Sequence, residues 1–222
     1  MSAPDRAGRR GAVDGTALRE PRRRQAVAWI GGLCVPALSR AQPDLPALAP
    51  ASVVDVLRAG GVAVLLRHAA TTPGVGDPPD FRLGDCATQR NLSDEGRAQA
   101  RRIGAWFAWH RLAPAAVRSS AWCRCIDTAR LAFGRDEPWP VLDSFFGSAD
   151  AGATRLRMQS IDAALRALPA GRFEVWVTHQ VNATEAGSVF LGMGEGLLLR
   201  AGGDGEGPPA RPAVLARLSF DA

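Results

Sequence analysis

The chain reads as a three-layer α/β/α sandwich with a mostly parallel central sheet, and three observations lead there. Short apolar runs of strand character alternate with helical patterns from residue 52 onward. Glycine and proline punctuate the changes between them. Three of the strand-like runs end on polar groups: Arg67-His68, Ser119-Ser120 and Thr178-His179. In open sheets of this kind ligands gather where loops leave the carboxyl ends of strands, so the three pairs can converge.

The elements follow in order. Ser52 can cap a short helix over 53–59 that stops at Gly60-Gly61. The run 62–66, apolar throughout and β-branched at alternate positions, is a buried strand. A Pro- and Gly-rich stretch, 70–91, is too long for a simple connector and is expected to bind something. Ser93-Asp94-Glu95 opens a helix, with a capping hydroxyl and two acids in its positive first turn; Ala100, Ile103, Trp106 and Phe107 follow at helical spacing as core. A short strand over 115–119 and a helix over 122–133, ended by Gly134, come next. A helix over 155–168, a strand over 173–178 and a helix over 182–191 complete the alternation. Two last strands, 197–200 and 214–220, flank a glycine-rich turn at 202–207.

The formal charge of +5 suggests nucleic acid, but its distribution argues against that partner. Residues 1–41 hold eight of the 27 basic residues and three of the 22 acidic ones, which leaves 19 of each in the remainder. That leader has the form of an export signal: Arg22-Arg23-Arg24, an apolar stretch at 26–38 too short to span a bilayer, and Ser39-Arg40-Ala41 as a small-x-small cleavage signal. The expected organisation is a disordered leader with export signal over 1–41, a linker over 42–51, and one domain over 52–222. The mature chain is expected in the periplasm or outside the cell, without stable membrane insertion. Export would favour one disulfide among Cys86, Cys123 and Cys125. Cys123 and Cys125, two apart on a helix, face different ways, so Cys86 is expected to pair with one of them. Zinc-ligand spacings are absent.

Arg67-His68 at a strand end is suited to phosphoryl chemistry. An imidazole is a nucleophile near neutral pH, and a guanidinium offers fixed donors to two phosphate oxygens. Around this pair, Leu65-Leu66-Arg67-His68-Ala69 resembles the signature of the histidine phosphatase superfamily, which has the phosphoglycerate-mutase-like fold. Leu92-Ser93-Asp94-Glu95-Gly96-Arg97-Ala98-Gln99-Ala100 is similar to that family's helix opening, and Ser119-Ser120, then Arg124, then Thr128-Ala129 resemble its second motif. Val177-Thr178-His179 matches the histidine of the third.

The resemblance implies a metal-independent phosphomonoesterase that needs no cofactor and acts on a small phosphorylated substrate. His68 would be the nucleophile, passing through a phosphohistidine. Arg67, Arg124 and His179 would hold the phosphoryl oxygens. Arg-His-Ala with an export signal also resembles periplasmic members directed at sugar phosphates. One role is open. Family members carry a carboxylic acid to protonate the leaving oxygen, either directly after the third-motif histidine, where this chain has Gln180, or shortly after the second motif, where Ser144 stands with Asp143 one residue early. Asp143 is the favoured proton donor, with Glu185 and Asp85 as further candidates. Phe81, Phe145 and Phe146 suggest a partly apolar lid, and His110 matches no motif. A phosphomutase, or a phosphate-binding protein without activity, is the alternative.

Overall fold

The computed structural model describes residues 48–148, 150–203 and 211–220. The expected leader and most of the expected linker lie outside these, as does part of the glycine-rich turn. The described chain runs α1 (Pro50–Ala59), β1 (Val62–Arg67), α2 (Asp94–Trp109), β2 (Ala116–Ser119), α3 (Cys123–Phe133), β3 (Glu137–Pro138), α4 (Ala151–Arg166), β4 (Phe173–Thr178), α5 (Gln180–Gly187), β5 (Gly196–Arg200) and β6 (Ala213–Leu218). No helix among the described residues is long and apolar enough to cross a membrane.

The sheet order is β3-β2-β4-β1-β5-β6. The first four strands run parallel; β5 and β6 are antiparallel additions on one side. Alternation along β1 sorts its side chains to opposite faces. Val62, Val64 and Leu66 join α1, α2 and α3 through Leu57, Ile103, Phe107 and Ala129. Ala63 and Leu65 join α4 and α5 through Ile161, Leu165 and Ala183. Both faces are therefore buried, which is why the strand sequence is continuously apolar rather than alternating. Each fully buried Leu or Val of these layers contributes about 1.5–3 kcal/mol.

Ser93 caps α2 by accepting from the Gly96 amide at 3.1 Å, and Gly134 ends α3 in the left-handed region, both as the sequence suggests. Three helix bounds differ. α1 starts at Pro50, with Ser52 inside it; proline suits a first helical turn because its missing N–H would be unpaired there. α4 starts four residues before 155 because Asp150 caps it, accepting from the Ala153 amide at 2.9 Å, and it ends at Arg166. α5 begins directly after His179 and stops at Gly187, where Ser188 turns left-handed at φ 55°. The chain beyond then leaves the helix and carries Val189 and Leu191 into the core. β3, two exposed residues at the sheet edge, carries no sequence signal and was not expected.

The register sets the site. Arg67 lies opposite Thr178 and Ser119 opposite Val177. One more ladder bond on each side, His68 N–H to Thr178 O at 2.9 Å and Ser120 N–H to Val177 O at 3.0 Å, carries the alignment into the loops. His68, Ser120 and His179 thus leave the sheet side by side.

Candidate active site

Arg67, His68, Arg124 and His179, predicted from three separate segments, line one cleft of about 370 Å³ at the carboxyl ends of β1 and β4. His68 and His179 are 2% and 4% exposed, with ring centroids 5.5 Å apart.

The His68 ring is oriented by its own loop. Nδ1 lies 2.9 Å from the Ala69 carbonyl oxygen, which can only accept, so Nδ1 carries the hydrogen and Nε2 the lone pair. Burial pushes the His68 imidazolium down to about 3, the guanidinium groups of Arg124, Arg67 and Arg90 adding to it and the Ala69 carbonyl opposing it. The ring therefore stays neutral at neutral pH, as a nucleophile must. Its loop is tied from two sides. Thr128 Oγ1 accepts from the Ala69 amide at 3.0 Å while donating to the Arg124 carbonyl at 2.7 Å. Gln99 Oε1 accepts from the Ala70 amide at 2.9 Å, and its Nε2 donates to the Met193 carbonyl at 2.8 Å. Gly96 is required by closeness: a Cβ there would stand 1.8 Å from the Ala70 carbonyl oxygen. The residues of the second sequence motif and of the α2 opening thus position the first motif mechanically.

His179 is held by a chain of hydrogen bonds. Arg124 Nη2 lies 3.4 Å from its Nδ1 and can only donate, so Nδ1 accepts. Nε2 then donates to Ser120 Oγ at 2.8 Å, and Ser120 donates to Asp143 Oδ1 at 3.0 Å. Burial holds His179 well below the ordinary histidine range, with Arg124 reinforcing the effect. Burial also lowers the guanidinium values of Arg67 and Arg124. Arg67 Nη1 donates to the Leu191 carbonyl, and its guanidinium lies 5.3 Å from the Phe190 ring centroid.

The carboxylates expected as proton donors are placed elsewhere. Asp143 does not line the cleft; Oδ1 turns back to Ser120 and to the Ala121 amide at 2.8 Å, while its neighbour Ser144 faces the cleft. Successive side chains of an extended segment point opposite ways, and Asp143 is extended. Glu185 pairs with Arg211 at 3.5 Å. Asp85 pairs with Arg82 at 2.7 Å and caps the short turn at Cys86–Thr88. Gln180 lines the cleft with its amide committed to Val189 O and Leu191 N–H. His110 caps α2 against the Trp106 ring.

Two lining residues were missed by sequence reasoning. Asp77 Oδ1 accepts from Arg124 Nη1 at 2.9 Å and from the Arg90 amide at 3.1 Å. Arg90 adds a third guanidinium to the cleft wall. Both stand in the 70–91 stretch, where the sequence offers only an acid between Gly76 and Pro78 and an arginine before Asn91. This stretch is fastened to the start of α3 by a disulfide between Cys86 and Cys123. Beside the bridge, Gln89 Oε1 accepts from the Cys123 amide at 2.9 Å. Cys125, on the other side of α3, is a buried free thiol 3.5 Å from His179 Nε2, and burial pushes it up to about 12. Of the expected lid, Phe146 is 87% exposed at the cleft, Phe145 is held under Arg157, and Phe81 lies against Trp122.

Comparison with known proteins agrees with this arrangement. The family model described as Histidine phosphatase superfamily (branch 1) matches residues 63–152. No curated protein sequence matches the chain significantly. Among solved structures, the Rv3214 protein of Mycobacterium tuberculosis aligns with a TM-score of 0.50 at 23% identity, over 72% of this chain and 98% of that one. A phosphoserine phosphatase variant from Entamoeba histolytica, in complex with phosphoserine, aligns with a TM-score of 0.49 at 12% identity, over 72% and 97%. The protein histidine phosphatase SixA complexed with tungstate aligns with a TM-score of 0.47 at 11% identity, over 72% and 97%. At 23% identity the likeness to the Rv3214 protein is one of fold. Over residues 63–152 the chain is thus similar to the histidine phosphatase superfamily, and its α/β fold matches that of the Rv3214 protein.

Proposed function

We propose that this protein is a metal-independent phosphomonoesterase that works through a phosphohistidine on His68, on a small phosphate ester such as a sugar phosphate. One observation carries the reading: a buried neutral imidazole, its Nε2 without a hydrogen-bond partner among the described residues, stands in a cleft with Arg67, Arg124 and His179. The transferring phosphoryl group spreads charge over three equatorial oxygens. Guanidinium donors fixed by burial stabilise that charge without reorganising. Arg124 is in the first turn of α3, so the helix N-terminus adds its own positive end. His68 attacks phosphorus, the alcohol leaves, and water then hydrolyses the phosphohistidine. His179, kept in place through Ser120 and Asp143, accepts from Arg124 and so aims that guanidinium into the oxygen pocket.

An exported, periplasmic or secreted enzyme is the setting we propose. The Cys86–Cys123 bridge supports it, since disulfides persist in oxidising compartments, and so does the signal-like segment before residue 42.

The test is hydrolysis of an aryl phosphate by purified protein in chelator, together with trapping of an acid-labile phosphoryl group. Wild type is expected to turn over and label, while His68→Ala loses at least about 10³-fold in kcat/KM and all label. Activity unchanged by the substitution would sink the mechanism. Tight phosphate binding without turnover of any ester would mark a binding protein instead.

A further inference from the structure

We propose that Asp77 is the proton donor to the leaving oxygen. The assignment rests on the phosphatase reading above and gives that reaction the acid it lacks. Among the described residues lining the cleft, Asp77 is the lone carboxylate; Asp143, Glu185 and Asp85 each have partners away from it. The side chain is 23% exposed, so it reaches the cleft without being free in solvent. Its hydrogen bonds to Arg124 and to the Arg90 amide both use Oδ1. Oδ2 has no hydrogen-bond partner among the described residues, which leaves one carboxyl oxygen for substrate.

The surroundings allow the carboxyl to change partners. Gly76 precedes it, and nothing lies within 4 Å of where a Cβ would be at Gly74 or Gly76, so the segment has room to swing. Arg124 Nη1, which now holds Asp77, belongs to the guanidinium that a phosphoryl group would engage. An arriving phosphate ester takes that donor and sets negative charge beside the carboxylate. Like charge at that distance favours the proton-bearing carboxyl. On substrate binding the carboxyl released from Arg124 takes up one proton from solvent and can then deliver it to the leaving oxygen.

The step balances as follows. The lone pair of His68 Nε2 forms the N–P bond as the P–O bond to the leaving group breaks. The electron pair of that bond stays on the leaving oxygen, which takes the proton of Asp77 and departs as an alcohol. In the second half a water attacks phosphorus, Asp77 takes one of its protons, and the N–P bond returns its pair to Nε2.

The experiment measures kcat/KM for a series of aryl phosphates, from nitrophenyl to methoxyphenyl, with wild type and Asp77→Asn. This ratio reports events up to the phosphohistidine, so slow hydrolysis of the intermediate does not mask the result. Asp77→Asn is expected to lose about 10²-fold or more on the poorest leaving group and far less on nitrophenyl phosphate, steepening the dependence on leaving-group basicity. Unchanged rates across the series overturn the assignment, and so does an equal loss on every ester, which would mark a positioning role. Asp143→Asn is the control. Acting through Ser120 and His179, it is expected to lose the same factor on every ester, and a steepened dependence in that variant instead would move the role to Asp143. Failure of the phosphatase reading would look different: wild type itself would neither turn over nor carry label on His68.

Discussion

The floor of the cleft and its roof are built from different kinds of bond. Arg67, His68 and His179 stand at strand ends whose backbone ladder continues past the strands, so their places follow from the register of β1 and β4. Asp77 and Arg90 come from a stretch without strand or α-helix, held by side-chain hydrogen bonds, an ion pair and one disulfide. The floor shares the cooperativity of the sheet and should open only with global unfolding. The roof can open locally. Positioning of the nucleophile and positioning of its partners are therefore separable.

The largest expected effect tests the roof. Replacing Cys86 and Cys123 together by serine removes a cross-link spanning 37 residues, which the chain-entropy account values at about 4 kcal/mol. Denaturant unfolding should show that loss, and KM should rise more than kcat falls. A collapse of kcat at constant KM would mean that floor and roof are one unit. Gly96→Ala strikes the floor through its support. The new methyl meets the Ala70 carbonyl, and forcing it in should cost about 3 kcal/mol. Here kcat should fall with stability, because the displaced backbone carries His68; unchanged kcat would uncouple α2 from the nucleophile.

Acid should also act on the floor. In the unfolded chain both histidines take up protons near pH 6.5, whereas folded His68 does so only near 3 and folded His179 well below the ordinary value. The unfolded state thus binds more protons in that window. The stabilising contribution is complete above about pH 6.5 and is lost as pH falls toward the folded values, by up to about 1.4 kcal/mol per pH unit for each histidine. Unfolding free energies at pH 7, 6 and 5 check the slope, which should shrink in His68→Gln. Smallest is Gln89→Ala, which leaves the Cys123 amide without its acceptor and should cost about 1 kcal/mol, with KM more affected than kcat.

What the sequence reveals follows the same division. The floor was legible because a buried strand must be apolar throughout, so Arg67-His68 marks where it ends. Thr178-His179 did the same at the end of β4, and Ser93 announced α2 by the side chain of its cap. The roof depends on contacts between residues far apart in the chain, and nothing local to Asp77 or Arg90 encodes that Arg124 lies beside them. The cysteines show the limit well. Helical geometry separated Cys123 from Cys125, but only the packed α3 decides that Cys125 faces Thr178 and His179 while Cys123 meets Cys86. Asp143 shows it from the other side. One residue of offset in an extended segment put Ser144 at the cleft and turned the carboxylate to the back of His179.

The bridge from Cys86 to Cys123 encloses the whole of α2 and β2, so both must be synthesised before it can form. The nucleophile needs no such closure, because the strand register and the ties of its loop to Gln99 and Thr128 place it. A chain kept reduced would then have a working nucleophile beneath a loosely held acid, taking phosphate from reactive esters and sparing ordinary alkyl ones. Oxidation would widen the range of substrates without altering any residue that touches phosphorus.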